Sequence, residues 1–508
     1  MPASARSNAT LYFGDIHNHN ALGYGLGSLE RSIDIARSHL DFFAFTGHSS
    51  WHDMPTMEGH REKIWSDGFE KLRNAWPKVQ QLTADANTDG SFTAFLGFEW
   101  HSSRFGDQCV ILGGDRHPLI APDNVGALRS YCIEHGGLMI PHHLAYATGH
   151  RGVNWDVFTE ECTPLVEIYS EHGNSEFDRG GFPYFSHSMG GRVTANTARH
   201  ALDRGLRFGF AASTDNHRGF PGAYGEGILG VWSEALTRDA ILKAIRQRRT
   251  VAYTGDRIGL WYEVDGQPLG SIISAGRDVE VSWEVEGRDA LDVVEVIVNG
   301  EIADRFFPTA DAPAPDEPCQ VRLEWGWGPW ADIDLARVCD WAFEIRADGM
   351  RIDSLYPCLQ SGPFDEDRRH RIRQTSDQTV AVTSYTGRQG AYRQNPNQSV
   401  ILSLQPDDGV GGAGLDNASL DLTLKQPASQ THRVTMRELA DSSVAIFTGP
   451  FPAECLLWHR PVSRTSSSHS GRTTIRLPKK DNYVYLRVRE HNGHIAWGSP
   501  VFVSRAHL

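Results

Sequence analysis

The sequence predicts an α/β half followed by a mainly antiparallel β half. Up to about residue 255, short apolar runs alternate with amphipathic stretches, a pattern typical of repeated βα units. Beyond that point the hydrophobic period changes to two, as in strands with one buried face. The apolar runs of the first half end in His, Glu or Asp, and in parallel α/β folds that edge assembles the functional site.

The first half is expected to alternate strands with helices. We expect its strands at LYFGDIH, FFAFTGH, FTAFLGFE, LMIPHH, LVEIYSEH and FGFAASTDNH. We expect its helices at SLERSIDIARSHL, GFEKLRNAWPKVQQL, DNVGALRSYCIEHG and TRDAILKAIRQRR. Ser28 and Thr237 fit as N-caps, because their hydroxyls can accept hydrogen bonds from amides of the first turn. Pro77 should kink or end the second helix.

The second half is predicted to be a β domain, with a sandwich as the favoured architecture. Its period-two runs are VEVSWEV, DVVEVIVNG, WAFEIRA, TVAVTSY, SVILSL, LDLTL and NYVYLRV. Turn-rich segments at 308–318, 409–414 and 464–472 are expected to be exposed loops. The domains are therefore predicted at 1–255 and 256–508.

Composition and charge exclude several classes of function. The 508 residues suffice for two or three domains. A formal net charge of -14 without a basic stripe argues against nucleic acid, since neutralising many phosphates requires clustered Lys and Arg. No apolar run approaches the roughly 20 residues that span a bilayer. We therefore expect a small-molecule substrate, no nucleic acid and no membrane, and leave homo-oligomerisation open.

The cysteines and the first residues bear on the compartment. The 7 cysteines are scattered without a CxxC pair, which favours reduced thiols. The segment MPASARSNAT leads into the first strand without the apolar stretch of a secretory signal. We therefore expect a cytoplasmic protein.

The clearest local motif is Asp15-Ile-His17-Asn-His19 at the end of the first strand. Residues i and i+2 of a strand point to the same side, so both imidazoles can reach one ion. A pair of surface histidines in a loop is the alternative, because HxH is common by chance.

A second motif, Ser213-Thr-Asp215-Asn-His217, closes an apolar run in the same way. A carboxylate and an imidazole at i and i+2 suit a borderline or hard divalent ion. An Asx turn beside a solvated histidine is the alternative. Two such motifs at strand ends are a rarer coincidence than either one alone.

Three further runs between these motifs end in metal-ligand residue types, at His48, Glu99 and His142. Buried carboxylates are costly unless paired or metal-bound, so Glu99 is a candidate for a carboxylate that bridges two ions. A salt bridge to an arginine is its alternative. The adjacent His143 is expected to bind substrate or to support a ligand. Of the 23 histidines, 16 precede residue 256, which places the expected site in the first half.

The segment Glu167-Ile-Tyr-Ser-Glu171-His172 offers three more candidates. Each of Glu167, Glu171 and His172 is open to three interpretations: a direct ligand, a side chain that orients a ligand histidine, or a residue at the rim.

The order HxH, a His after the second strand, GxE, PH and DxH resembles the PHP (polymerase and histidinol phosphatase) superfamily of metal-dependent phosphoesterases. A closer resemblance is to the PHP-like group DUF3604, through FGDIHNH, FLGFEW, EIYSEHGNSE, STDNHRGFPGA, RQRRTVAYTGDRI and YVYLRVREHNGHIAWGSPVFV. The resemblance covers the first 260 residues, and the C-terminal end more loosely. It implies a distorted (β/α)7 barrel that holds two or three Zn, Mn or Fe ions. The ligands that it implies are His17, His19, His48, Glu99, His142, Asp215 and His217.

One departure from the family pattern concerns the second motif. It usually reads Thr-Asp-His, whereas this chain has Thr46-Gly47-His48. The loss of a carboxylate beside a ligand is expected to lower metal occupancy or to retune the site. Asn18 and Asn20 also stand where other members often have an apolar residue and a Thr.

The function predicted is that of a metal-dependent hydrolase, most simply a phosphoesterase that acts on a small organic phosphate ester through a metal-bridging hydroxide. Hydrolysis of an amide, ester, lactone or sulfate ester at the same centre is one alternative. A metal-containing binding protein without catalysis is another, and Gly47 is the feature that keeps it open.

Candidate catalytic side chains follow the ligand-bearing strands. His172 is predicted to donate the proton to the leaving group, and Glu171 is grouped with it as catalytic. Side chains expected to bind non-bridging oxygens, or otherwise to be surface charges, are Arg218, Arg104, Arg151 and His150. Aromatic residues expected to line an apolar part of the pocket, or otherwise to pack the barrel on the sandwich, are Trp51, Trp100, Trp155 and Tyr169.

Overall fold

A computed structural model describes residues 8–178, 180–182, 192–308, 317–327, 336–387, 397–407, 418–450 and 453–505. The strands of the first half are β1 (Thr10–Asp15), β2 (Phe42–Phe45), β3 (His48–Trp51), β4 (Thr93–His101), β5 (Gln108–Leu112), β6 (Leu138–Pro141), β7 (Leu165–Ser170), β8 (Gly173–Asn174), β9 (Gly209–Ala212), β10 (Ile228–Ser233) and β11 (Thr250–Tyr253). Its helices are α1 (Leu29–His39), α2 (Glu62–Ala86), α3 (Val125–Glu134), α4 (Ala198–Asp203) and α5 (Arg238–Arg246). Short 3-10 turns lie at Glu58–His60, Trp155–Val157 and Thr194–Asn196. The six predicted strands and four predicted helices of this half are confirmed.

The second half is built from strands, as predicted. In chain order they are β12 (Gly259–Val264), β13 (Gln267–Pro268), β14 (Ile272–Ala275), β15 (Asp278–Glu286), β16 (Leu291–Val298), β17 (Glu301–Phe306), β18 (Cys319–Gly326), β19 (Val338–Asp348), β20 (Met350–Cys358), β21 (Arg371–Gln374), β22 (Thr379–Gly387), β23 (Gln398–Pro406), β24 (Ser419–Gln426), β25 (Gln430–Thr435), β26 (Val444–Phe447), β27 (Cys455–Trp458), β28 (Val462–Ser463), β29 (Ser468–Arg476), β30 (Asp481–Glu490), β31 (Ile495–Gly498) and β32 (Val501–Arg505). Two short helices, α6 (Met436–Asp441) and α7 (Arg464–Ser467), interrupt them.

The first half mixes parallel and antiparallel pairing. Its sheet has the order β10-β1-β2-β4-β5-β6, in which β1, β2 and β4 are parallel. Strand β5 runs antiparallel to β4, because only a short loop joins them and no helix returns the chain. Strand β10 runs antiparallel to β1. A parallel pair, β7 and β9, stands beside β6 and β11. Among the described residues the hydrogen-bonded ladder is not continuous around the ring.

The sheet of the first half continues into strands from the end of the chain. Strand β11 pairs with β31, where Val251 lies opposite Gly498. Strands β30, β32, β14, β16 and β17 extend the same sheet. Residue 255 therefore lies between strands of one hydrogen-bonded sheet, and the predicted domain boundary there stays a prediction.

Two antiparallel sheets of the second half share one core. One contains β20-β23-β18-β27-β26 and the other β21-β22-β19-β24-β25. Val321 and Leu323 of the first sheet and Phe343 and Ile345 of the second are buried in the same hydrophobic cluster. This arrangement is the face-to-face packing of a sandwich.

One local expectation was wrong in part and another in full. Helix α2 runs through Pro77, so the proline does not end it; the residue is exposed, and water can satisfy the carbonyl that the ring leaves unbonded. The segment 464–472 is not a loop but α7 followed by β29, because the Ser463 side chain caps the helix and β29 pairs with β15. The N-caps Ser28 and Thr237 are confirmed.

Two other predicted loops fall largely or wholly outside the described residues, at 308–318 and 409–414. In the described parts of the chain, no helix is long and apolar enough to cross a membrane.

Candidate metal centre

The structure brings all seven predicted ligand residues to one end of the strands of the first half. His17 and His19 follow β1, His142 follows β6, and Asp215 and His217 follow β9. His48 begins β3, and Glu99 lies inside β4 opposite it. Residues far apart in the sequence therefore meet where β1, β3, β4, β6 and β9 come together, although only five of the seven follow a strand end.

Glu99 is the centre of the cluster. Its Oε1 lies 2.8 Å from Nε2 of His142 and 3.2 Å from Nδ1 of His101. Its Oε2 lies 3.2 Å from Nε2 of His48 and 3.5 Å from Nε2 of His19. The side chain is only 2% exposed. The two carboxylate oxygens thus face two different pairs of imidazoles, which is the arrangement of a carboxylate that can bridge two cations.

Asp215 joins a further group of histidines. Its Oδ1 lies 3.2 Å from Nε2 of His17 and 3.0 Å from Nε2 of His19, while Oδ2 lies 3.0 Å from Nε2 of His172. Its φ of 56° lies in the left-handed region, where a non-glycine residue costs backbone strain. The surrounding contacts hold the carboxylate in this conformation.

His217 lies on the open side of the cluster. Its side chain is 32% exposed, whereas those of His19 and His48 are at most 1% exposed. Ligand atoms of His19, His48 and His217 all lie within 4.8 Å of one another. These three imidazoles could hold one ion.

Two buried carboxylates position the ligands from behind. Nδ1 of His17 lies 3.0 Å from Oε2 of Glu167. This geometry fits the interpretation of Glu167 as a side chain that orients a ligand histidine. Asp15 accepts hydrogen bonds from the Thr214 hydroxyl at 2.6 Å and from the backbone N–H of Gly222 at 2.9 Å. Asp15 thereby ties the end of β1 to the segment after β9.

A network beside Glu99 contains two residues that sequence reasoning missed, His101 and Asp107. Nδ1 of His101 lies 2.8 Å from Oδ2 of Asp107, and Nε of Arg151 donates to the same oxygen at 2.7 Å. His101 stands two residues after Glu99 in β4, so strand alternation could have indicated it. Asp107 lies in the loop before β5 and carries no comparable signal. His143 also faces Asp107, with Nε2 at 3.7 Å from Oδ2.

Burial disfavours the charged form of most side chains in the cluster, but His17 is an exception: although burial lowers its pKa, Asp215, Cys109 and Glu167 hold that pKa well above the usual histidine value. Burial lowers the pKa of each of these five imidazoles below the usual histidine value: His19, His48, His142, His143 and His217. Burial also raises the pKa of Glu99 well above its ordinary value. Burial alone would raise the pKa of Asp215 too, but His17, His172 and His19 hold it well below the usual range. Neutral imidazole is the form that coordinates metals.

Unsatisfied buried atoms test whether these residues fit a cation. Nε2 of His17 and Oε2 of Glu99 are buried, and their 3.2 Å contacts with Asp215 and His48 do not count as hydrogen bonds, so neither atom has a hydrogen-bond partner among the described residues. Such atoms cost free energy unless something satisfies them. A nitrogen and an oxygen of this kind, in one cluster of imidazoles and carboxylates, fit a divalent ion.

A cavity of about 390 Å³ opens onto the cluster. Its lining consists of Tyr24, Leu26, His48, Trp65, Glu99, His143, Arg151, Glu171, His172, Asp215, Asn216, His217 and Arg218. The three predicted catalytic residues, His172, Glu171 and Arg218, all line it. Arg104 and His150 are exposed and are not part of this lining.

The aromatic residues of the cavity are not those expected. Trp100 and Trp155 are packed in hydrophobic cores, and the four aromatic residues singled out from the sequence are all absent from the lining. Tyr24 and Trp65 line the cavity instead. The Tyr24 ring stacks on the imidazole of His48, with 3.7 Å between centroids and 21° between planes.

Gly47 is adjacent to His48 in sequence, but a side chain at this position would not point at the histidine cluster. A Cβ built there would lie 2.5 Å from Cζ of Phe45 and 3.1 Å from Cδ1 of Leu72. Phe45 and Leu72 belong to a hydrophobic core between the sheet and α2. In this backbone, a side chain at residue 47 would point into that core and not at the histidines.

Comparison with known proteins gives relatives without an assigned activity. No family model matches the chain. The sequence is 26% identical over 278 residues to an uncharacterized protein of Chlamydia pneumoniae, covering 48% of this chain and 44% of that protein. It is 27% identical over 253 residues to an uncharacterized protein of Chlamydia trachomatis serovar D, covering 45% and 40%. The matches thus span less than half the length of these relatives.

One solved structure is similar over most of its length. It is a two-domain protein from Bacteroides vulgatus described as containing a predicted PHP-like metal-dependent phosphoesterase. The match covers 86% of this chain and 97% of the other, with 12% sequence identity and a TM-score of 0.35.

Proposed function

We propose that the chain is a metal-dependent hydrolase, most simply a phosphoesterase that acts on a small organic phosphate ester. The observation that carries the proposal is the position of Glu99, whose two oxygens face separate pairs of imidazoles beside a cavity. A buried carboxylate in that position fits a centre of two or more divalent ions.

The proposed ligands combine imidazole nitrogen with carboxylate oxygen, a set that suits Zn, Mn or Fe. They are His17, His19, His48, Glu99, His142, Asp215 and His217. We propose two or three ions, and a distorted (β/α)7 barrel of the PHP type, close to the DUF3604 group, as the scaffold. The positions of His101 and Asp107 support a role for them beside the ions as well.

Bound divalent ions would lower the pKa of a coordinated water and neutralise the oxygens of a phosphoryl group. The chain supplies the remaining groups. Arg218 and Arg151 line the cavity and can bind anionic oxygens through their guanidinium groups. The Tyr24 hydroxyl is a hydrogen-bond donor on the same wall.

His172 is the proposed proton donor. Its Nδ1 lies 2.8 Å from the hydroxyl oxygen of Tyr146, and its Nε2 faces Asp215 in the cavity. In the protonated imidazole, Nδ1–H would donate to the Tyr146 hydroxyl oxygen. The Nε2 proton, beside Asp215 in the cavity lining, would be the one passed to a leaving group, which returns the ring to its neutral form. Glu171 lines the same cavity, and we propose that it makes a polar contact with the substrate next to His172.

Two alternatives remain, and the structure weakens the support for one of them. The same centre could hydrolyse an amide, carboxylic ester, lactone or sulfate ester, since the metal ligands do not select the electrophile. The idea of a binding protein without catalysis depended on Gly47, and a side chain there would point away from the cluster. A cytoplasmic location, a small-molecule partner and homo-oligomerisation stay predictions.

The test is hydrolysis of chromogenic phosphate monoesters, phosphate diesters, carboxylic esters and sulfates by protein loaded with Mn or Zn. We expect chelator-sensitive turnover of phosphate esters. His17→Ala should abolish it and lower the bound metal, measured by plasma mass spectrometry, whereas exposed His150→Ala should match the wild type. Full activity of His17→Ala, or turnover that survives the chelator, would contradict the proposal.

A further inference from the structure

A second cavity, of about 340 Å³, lies in the second half of the chain. It is formed by the loop after β15, by strand β18 and by the segment that follows β27. Its polar lining includes Arg288, Gln320, Arg322, His459 and Arg460. We call it the arginine pocket. Three guanidinium groups line it, although the protein carries a net charge of -14.

Arg288 is held rigidly within this pocket. Its side chain is 7% exposed, and its Cζ lies 3.9 Å from the centroid of the Tyr356 ring. Nη1 donates to Oε1 of Glu286 at 3.0 Å. Oε1 of Glu490 accepts hydrogen bonds from the backbone N–H groups of Arg288 and Asp289, which fixes the loop. The stacking and these bonds fix the guanidinium before any ligand arrives.

One edge of the Arg288 guanidinium makes no hydrogen bond to the described residues. Its Nε is buried and has no hydrogen-bond partner within the described residues. The hydrogen bonds of the guanidinium are made by Nη1, to Glu286 and to the carbonyl of Gly287. The Nε and Nη2 edge is the fork that binds carboxylate or phosphate with two parallel hydrogen bonds.

The neighbouring side chains give the pocket its charge and shape. Arg322 is fixed by Asp256 at 3.0 Å and by the Tyr224 hydroxyl oxygen at 3.1 Å, so it forms a rigid wall. Arg460 is exposed at the rim, where it can approach a ligand from the solvent side. Asp289 is the only acidic residue among the lining residues that the structure describes.

We propose that the arginine pocket binds the oxyanion group of a small organic acid or phosphate, at a site separate from the metal centre. The Nε edge of Arg288 would hold two oxygens, and Arg460 would close over the group from the rim. Ala290, Pro461 and Val462 in the lining would contact the organic part of the ligand. The volume leaves room for more than the anionic group alone.

The test is calorimetric titration of the metal-loaded protein with inorganic phosphate and, separately, with succinate, at constant ionic strength in chloride. Phosphate and succinate distinguish a tetrahedral from a planar oxyanion. We expect binding of at least one probe at a site that Arg288→Gln weakens by about tenfold or more. Arg489→Gln is the matched control, because Arg489 is exposed and pairs with Asp292.

Arg460→Gln provides a second variant if Arg288→Gln does not fold, because Arg460 is exposed. It should also weaken the same binding event and leave metal content unchanged. Equal affinities of wild type, Arg460→Gln and a folded Arg288→Gln for both probes would overturn the proposal. So would a wild type that binds the probes only at the metal centre, shown by loss of all binding in His17→Ala.

Discussion

The imidazole of His17 and the carboxylate of Glu167 lie 3.0 Å apart, and both side chains are at most 2% exposed. The contact uses Nδ1 of His17, which leaves Nε2 directed towards Asp215. Glu167 lies in β7 and His17 directly after β1, so the pair connects two parts of the first half that do not share a described strand ladder. Glu167 therefore determines which nitrogen of His17 is available to an ion.

Glu167→Gln should weaken metal binding without removing any proposed ligand. Partners of this kind typically contribute about 10- to 100-fold to metal affinity, because they fix the tautomer and the ring orientation of the histidine. The apparent dissociation constant for Zn or Mn, measured by competition with a chromophoric chelator, should rise about tenfold or more. Glu160→Gln, at a residue that pairs with Arg207 on the surface, should leave it unchanged.

Tyr24→Phe should lower turnover and leave the metal centre intact. The ring that stacks on His48 is retained, while the hydroxyl of this cavity-lining residue is lost. Loss of a hydrogen bond to a charged oxygen corresponds to a decrease in kcat/KM of about 10- to 100-fold. Metal content should equal that of the wild type. An unchanged kcat/KM on the best phosphate ester would remove Tyr24 from the substrate contacts.

Gly47→Ala should destabilise the protein. The added Cβ would approach Cζ of Phe45 to 2.5 Å, and overpacking of a core typically costs about 1–3 kcal/mol. Gly276→Ala is the control, since the nearest atom to its Cβ is the carbonyl oxygen of Asp278 at 3.8 Å. Urea unfolding followed by tryptophan fluorescence gives both free energies of unfolding. Equal values would show that Phe45 moves aside at little cost.

Mild acid should destabilise the contact between α1 and the sandwich. Burial lowers the pKa of His39 to about 3 and that of His370 to about 3. Between the unfolded value of about 6.5 and about 3, the unfolded chain binds protons that the folded chain does not, so the free energy of unfolding falls as the pH falls. At pH 5 each histidine should contribute a loss of about 2 kcal/mol.

His370→Gln tests this titration. The variant should lose less stability than the wild type between pH 7 and pH 5, measured by urea unfolding at the two pH values. Exposed His60→Gln should retain the wild-type difference, since its side chain is 90% exposed. An identical pH dependence in all three proteins would mean that His370 takes up a proton in the folded state.

Part of the candidate site could be predicted from the sequence and part could not, because a local hydrophobic pattern locates strands but does not determine how distant segments pack. Strand-end residues such as His142 and Asp215 were predictable, because hydrophobic periodicity locates the end of a strand and the ends of adjacent strands converge. Asp107 and Tyr24 were not predicted, since their loops reach the cluster only through tertiary packing. The antiparallel pairing of β10 with β1 was likewise not encoded in a local period, because the two strands are far apart in the sequence.

The pairing of β11 with β31 also constrains how the protein can form during synthesis. A ribosome makes the proposed metal ligands long before it makes Ile495–Gly498, so β11 emerges without the neighbour that covers its edge. An uncovered strand edge is a template for pairing with another chain. We therefore expect nascent chains to depend on chaperones until β31 emerges, and chains truncated near residue 255 to aggregate.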